Sequence, residues 1–161
     1  MAENISLSWN WAKHHKVRKE LSQKQIKKIL RDYRVIAVVG LSKKPGKDSP
    51  IVTAYLQHHG YRIIPVNPFT VNVLGEKSYK SLFDIPVEIQ KTIEIVDIFR
   101  KVEDVPPIVK QAIQLKAKFG RPFVVWMQLD IVNEQAAEAA RNAGLIVVMN
   151  RCLMVEHHHL I

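Results

Sequence analysis

Five short runs dominated by valine and isoleucine punctuate this chain: RVIAVVG (34–40), YRIIPVNP (61–68), IEIVDIFR (93–100), PFVVWMQ (122–128) and LIVVMN (145–150). Such runs have no polar face, so as strands they must be covered on both sides. Between most of them lie segments with helical spacing: SPIVTAYLQHHG (49–60), VPPIVKQAIQLKAK (105–118) and NEQAAEAARNAG (133–144). Strands alternating with helical patterns of this length form βαβ units and a parallel sheet. Right-handed crossovers then predict an α/β fold, a Rossmann-like doubly wound, mostly parallel sheet with helices on both faces.

Local signals set the boundaries. Gly60 and Gly144 close two of the helices, and Pro106 with Pro107 is tolerable only in a first helical turn. SQKQIKKILRDY opens with Ser22 and carries Gln25 three residues later, the spelling of a capping box. NVLGEKSYKSLFDIP (72–86) reads as a short hairpin or irregular crossover with Gly75 at its turn, and RCLMVEHHHLI (151–161) as a closing helix. No internal repeat is apparent. In a fold of this kind ligands sit beyond the carboxyl ends of the strands. Five junctions therefore form the expected site: 40–49, 66–69, 99–104, 126–130 and 149–152.

The chain has 161 residues, enough for one domain with a full core. We expect a single domain over 26–161, preceded by a basic extension over 1–25 that holds Trp9, Trp11, His14 and His15. No apolar run is long enough to span a membrane and no secretory leader is visible, so a cytoplasmic protein is expected. The lone cysteine, Cys152, excludes internal disulfides and suits a reducing compartment. The formal charge of +9 is unevenly placed. Residues 1–50 carry 12 Lys/Arg against 4 Asp/Glu, and residues 51–161 carry 12 against 11. A nucleic-acid surface would also bring interleaved aromatics or a reading motif, and none is spelled out here. Nucleic acid is thus disfavoured as a partner, whereas a protein partner or a second copy of the chain stays open.

AVVGLSKKPGKDSP (37–50) has the order of a phosphate-binding loop: strand, glycine, lysines, helix start. A Walker A loop requires four residues between its glycines and a hydroxyl after its lysine. Here Gly40 and Gly46 are one residue too far apart, and Asp48 follows Lys47. The dinucleotide fingerprint fails as well, because Ser42 and Pro45 stand where its second and third glycines belong. It also needs a carboxylate after the second strand, which ends Val66-Asn67-Pro68 with no acid before Glu76. What remains is an anion site without a magnesium ligand. Gly40 permits close approach, Ser42 offers a hydroxyl, and Lys43, Lys44 and Lys47 offer charge. Ser49 is expected to cap the next helix with Pro50 at its first position.

Together these stretches resemble the stand-alone CoA-binding domain family, akin to the CoA-binding N-terminal domain of the succinyl-CoA synthetase α-subunit. The resemblance runs in unbroken order over about residues 26–160, through VDIFR, VPPIVKQAI, VVWMQLDI, AAEAARNAGLIVVMNRC and VEHHHL. It implies a Rossmann-type fold with coenzyme A, or acyl-CoA, as the ligand. Carried across, Gly40, Leu41, Ser42 and Lys43 would line the diphosphate and 3′-phosphate region, with Lys47 adding charge and Ser49 at the helix start. Asn67 and Pro68 would flank the nucleotide, Phe99 and Arg100 would border the ligand, and Trp126 and Gln128 would lie near the pantetheine path. The family usually reads Asp-Arg-Cys near its end, where this chain has Asn150-Arg151-Cys152.

Other residues carry less. Trp126 lies on a buried strand and fits a core role as readily as a ligand platform. Cys152 beside Arg151 is a plain semi-buried thiol or one able to form a mixed disulfide with CoA. Asp97 sits within a strand pattern and suits a hydrogen-bonded structural role. His58 and His59 are adjacent on a helix and cannot face one point, and no metal site is expected from them or from His157, His158 and His159. No nucleophile elbow, Ser-His-Asp order or carboxylate pair emerges, so no catalytic residues are expected. A non-catalytic CoA-binding module is the first reading. An NAD(P)-linked Rossmann enzyme of modified fingerprint and an anionic-polymer binder acting through the basic N-terminal region are the alternatives.

Overall fold

The computed structural model describes residues 20–44 and 46–161. The expectations for Trp9, Trp11, His14 and His15 fall outside the described residues. Helix α1 (Gln23–Asp32) opens with the full capping box: Ser22 Oγ accepts the Gln25 N–H and Gln25 Oε1 accepts the Ser22 N–H. Strand β1 (Val35–Val39) then leads to α2 (Asp48–His58) and β2 (Arg62–Val66). A hairpin of β3 (Asn72–Val73) and β4 (Glu76–Lys77) follows, with Leu74 and Gly75 both at positive φ in its two-residue turn. Two residues of that handedness match the twist of a hairpin, and Gly75 adopts it without strain.

The chain continues through the 3₁₀ turn Leu82–Asp84 and short helix α3 (Val87–Gln90) to β5 (Ile95–Ile98). Then come the 3₁₀ turn Val102–Asp104, α4 (Val105–Phe119), β6 (Val124–Met127), α5 (Glu134–Asn142), β7 (Ile146–Val148) and α6 (Leu153–Leu160). Both prolines of α4 lie in its first turn, and Asn133 caps α5 through its side chain.

The main sheet has the order β2-β1-β5-β6-β7 with every pairing parallel. Side chains alternate between two cores. Ala37, Val39, Val96, Ile98, Val125 and Met127 pack toward α4 and α5. Ile36, Val38, Ile95, Val124 and Trp126 pack toward α1, α2 and α6. This double burial is why the strands read as unbroken apolar runs rather than alternating ones. The direction of travel reverses between β1 and β5: the chain leaves β1 for β2 on one side, then returns to place β5 on the other. Helix α2 covers one face after β1, and α4 covers the opposite face after β5. Their starts diverge and leave a crevice at this switch point, above the carboxyl ends of the strands.

One boundary differs from expectation. Helix α2 begins at Asp48, with Lys47 as its N-cap residue and no side-chain cap. Ser49 lies inside the first turn because its hydroxyl is engaged elsewhere, accepting the Ser42 N–H at 2.9 Å. Asp48 places a negative charge where the helix dipole favours one. Pro50 remains in the first turn, where no helical N–H partner is lost.

Candidate functional site

The crevice is built upward from Gly40. Its φ of +91° and the surrounding contacts both demand glycine, since a Cβ there would stand 2.3 Å from the Phe99 carbonyl oxygen and 2.8 Å from Arg100 Cδ. The Gly40 N–H donates to the Val66 carbonyl at 2.9 Å, which ties the exit of β1 to that of β2. The next residues fold back on themselves. Ser42 N–H donates to Ser49 Oγ, and Lys44 N–H donates to Ser42 Oγ at 3.0 Å. Asn67 Nδ2 donates to the Leu41 carbonyl at 2.9 Å, while its Oδ1 accepts the Phe69 N–H. The loop is thereby shaped before any ligand arrives.

Two clefts meet along the line from Gly40 to Arg100, and both residues line each. The larger, about 540 Å³, opens over β5 and β6. Ser42, Lys47, Ser49 and Arg100 line its polar end; Leu129, Ile131, Met154 and Val155 line the other, with Gln128 and Cys152 between. The smaller, about 280 Å³, lies toward β2 and is lined by Val66, Pro68, Lys80, Ser81 and Asp104 among others. Arg100 Nη2 contacts Asp104 Oδ2 at 3.2 Å, a half-exposed pair that contributes at most about 1 kcal/mol. That pairing leaves the guanidinium at the junction of the clefts.

The crevice brings together Gly40, Ser42, Lys47, Ser49, Phe99, Arg100 and Gln128 in the larger cleft and Pro68 in the smaller. Leu41 is fully buried. Asn67 works through the Leu41 carbonyl, and Lys43 Nζ donates to Asn72 Oδ1 at 3.3 Å, so neither side chain lines a cleft. Trp126 departs further from the expected pantetheine path. Its ring is fully buried and its indole N–H donates to the Arg151 carbonyl at 2.8 Å, so it packs the core and anchors the loop before α6. Lys80, Ser81, Leu129, Met154 and Val155 enter the crevice without having been singled out. Leu129 falls within the expected 126–130 junction; Lys80 and Ser81 lie in an irregular crossover and the α6 residues outside any strand junction, so no local motif marks those four.

Beneath the larger cleft sits a buried carboxyl. Asp97, on β5 beside Val38 and Trp126, is fully enclosed, and Gln128 Nε2 donates to its Oδ1 at 2.8 Å. Its Oδ2 has no hydrogen-bond partner, and burial pushes its pKa up to about 7. Gln128 Oε1 meanwhile accepts the Leu153 N–H at 3.4 Å. Gln128 therefore links the core carboxyl to the start of α6, which carries the apolar wall. On the adjacent loops Asn150 Oδ1 accepts the Asp130 N–H at 2.8 Å, with both residues at positive φ. An asparagine makes that contact without charge. No cluster of three or more His, Cys, Asp or Glu placed to hold a metal ion occurs among the described residues. Nor is any helix among them long and apolar enough to cross a membrane.

A parallel α/β sheet with its crevice at the switch point places the chain among Rossmann-like proteins. The family described as CoA binding domain matches residues 34–158, and the chain belongs to it. A Bacillus subtilis (strain 168) protein, uncharacterized protein YneT, is 38% identical over 136 residues, covering 84% of this chain and 94% of that protein. A hypothetical protein from Pyrococcus horikoshii OT3 has a solved structure that is 42% identical with a TM-score of 0.79, covering 91% of this chain and 99% of its own. A Thermus thermophilus structure, cell-free ID.343, is 34% identical with a TM-score of 0.75, covering 88% and 100% respectively.

Proposed function

We propose that this protein binds coenzyme A across the two clefts, with the diphosphate at the Gly40–Arg100 junction. The observation that carries the reading is the placement of cations along the crevice: Lys80 in the smaller cleft, Arg100 at the junction and Lys47 in the larger cleft, which also carries the aliphatic side chains Leu129, Ile131, Met154 and Val155. Coenzyme A has a matching order, a phosphorylated nucleotide, a diphosphate and a pantetheine arm. Lys80 and Ser81 in the smaller cleft suit the 3′-phosphate. The family membership supports the same ligand. The end of β2 offers Asn67 and Pro68 rather than a ribose-binding carboxylate, which disfavours NAD.

The module acts as a CoA carrier, sensor or regulatory partner in the cytoplasm, with residues 26–161 as the binding domain and 1–25 as a basic extension. Mass spectrometry of small molecules released by denaturing the purified protein tests the reading. CoA or its thioesters are expected; release of NAD(P) with no CoA species contradicts it.

A further inference from the structure

The apolar arm of the larger cleft does not stop at Cys152. Leu129, Cys152 and Val155 also line a second cavity of about 260 Å³, which continues toward Met149 and Arg151. Around the shared wall, apolar side chains face solvent: Leu129 is 58% exposed, Ile51 55% and Val155 43%. All three line the larger cleft, where an apolar ligand group that covers them gains burial energy. A free thiol would cover little of this surface. The only cation of the second cavity, among the described residues, is Arg151. It is already engaged by Glu156 at 3.2 Å and Glu20 at 3.6 Å, so two carboxylates surround one guanidinium.

We propose that this cavity is an acyl subsite, and that the protein selects CoA thioesters of uncharged aliphatic acids over free CoA and over dicarboxylic thioesters. The inference rests on the CoA reading above. The pantetheine arm runs from Arg100 after β5, past Gln128 after β6, and delivers its thioester to the Cys152 wall shared by both cavities. An aliphatic acyl chain then covers Leu129 and Val155. A carboxylated chain meets Glu20 and Glu156 instead, with no unengaged cation lining the cavity among the described residues.

Calorimetric titration of the full 161-residue chain with CoA, butyryl-CoA and succinyl-CoA tests this. Each well-covered methylene is worth about fourfold in affinity, so partial cover of the butyryl chain predicts binding about tenfold tighter than CoA. Succinyl-CoA should bind no more tightly than CoA. Leu129→Asp and Val155→Asp, both at exposed positions, should each bring the butyryl-to-CoA affinity ratio toward one, with folding checked by thermal unfolding. Equal affinities for butyryl-CoA and CoA, a preference for succinyl-CoA, or an unchanged ratio in both variants would overturn the acyl subsite while leaving CoA binding intact. Absence of binding by all three ligands would instead overturn the CoA reading itself.

Discussion

Gly40 and Phe99 touch through their backbones at the switch point of the sheet, with room for a hydrogen and none for a methyl group. A Cβ on Gly40 would fall 2.3 Å from the Phe99 carbonyl oxygen, which backbone cannot yield cheaply. The positive φ adds strain for any other residue. Gly40→Ala is therefore expected to destabilise the fold by about 2–4 kcal/mol, within the range for large local mechanisms. Gly46→Ala, also at positive φ but with nothing within 4 Å of its Cβ, should cost only the backbone strain, about 1 kcal/mol. Chemical denaturation of both variants measures the difference.

The cations of the opening loop are not equivalent. Lys47 and Arg100 line the larger cleft, whereas Lys43 is turned to Asn72. Lys47→Gln and Arg100→Gln should each weaken CoA binding by roughly tenfold to a hundredfold, the worth of a charge-assisted phosphate contact. Lys43→Gln should weaken it less. Because the Arg100–Asp104 pair is half exposed, Tm should change by no more than about 4 °C in the arginine variant. Fluorescence or calorimetric titration alongside thermal unfolding separates the two effects.

Asp97 makes stability fall as pH rises. Its carboxyl is raised from 3.8 to about 7 by burial, partly offset by the Gln128 hydrogen bond. Between those values the folded protein binds more protons than the unfolded chain, so each step up in pH through this window favours unfolding. Above pH 7 the burial of the charge persists as a penalty on the order of 4 kcal/mol. Asp97→Asn should flatten this decline, so that its Tm relative to the parent chain is higher at pH 8 than at pH 5. Parallel pH dependence in the two proteins would show that the carboxyl is ionised at little cost.

The acid side has a separate origin in α6. His157 is buried, with its Nδ1 2.8 Å from the Tyr55 hydroxyl and its ring 5.0 Å from that of His59 and 5.6 Å from that of Tyr61. Burial first, then the charges of His59, Arg34 and His158, hold its pKa below 6.5. The unfolded chain binds the proton more readily, so stability is lost as pH falls below about 6.5 toward the depressed native value. His157→Gln should weaken α6 docking at neutral pH yet show a shallower loss of Tm between pH 7 and pH 5. A thermal unfolding series over that range reads both effects.

The strands were legible because residues such as Val38, Val96 and Val125 have core on whichever face they point to, and unbroken apolar runs follow from that. Ser22 with Gln25 was legible because a capping box is a local motif. The start of α2 was not: Ser49 has the chemistry of a cap, but its hydroxyl serves Ser42 across the loop. Trp126 shows the same limit, since a strand-end position does not reveal that the indole N–H is spent on Arg151. The wall formed by Leu129, Met154 and Val155 arises when α6 docks against α1 and α2, and Gln128 joins Asp97 and Leu153 across 31 and 25 residues of chain. Sequence periodicity carries no record of contacts of that kind.

The proposed assignment of the Gly40–Arg100 crevice to coenzyme A is tested most directly by isothermal titration of the purified 161-residue chain with CoA and with NAD under one buffer. Saturable one-to-one binding of CoA and at least tenfold weaker binding of NAD are expected. Tight NAD binding with no heat from CoA would contradict it.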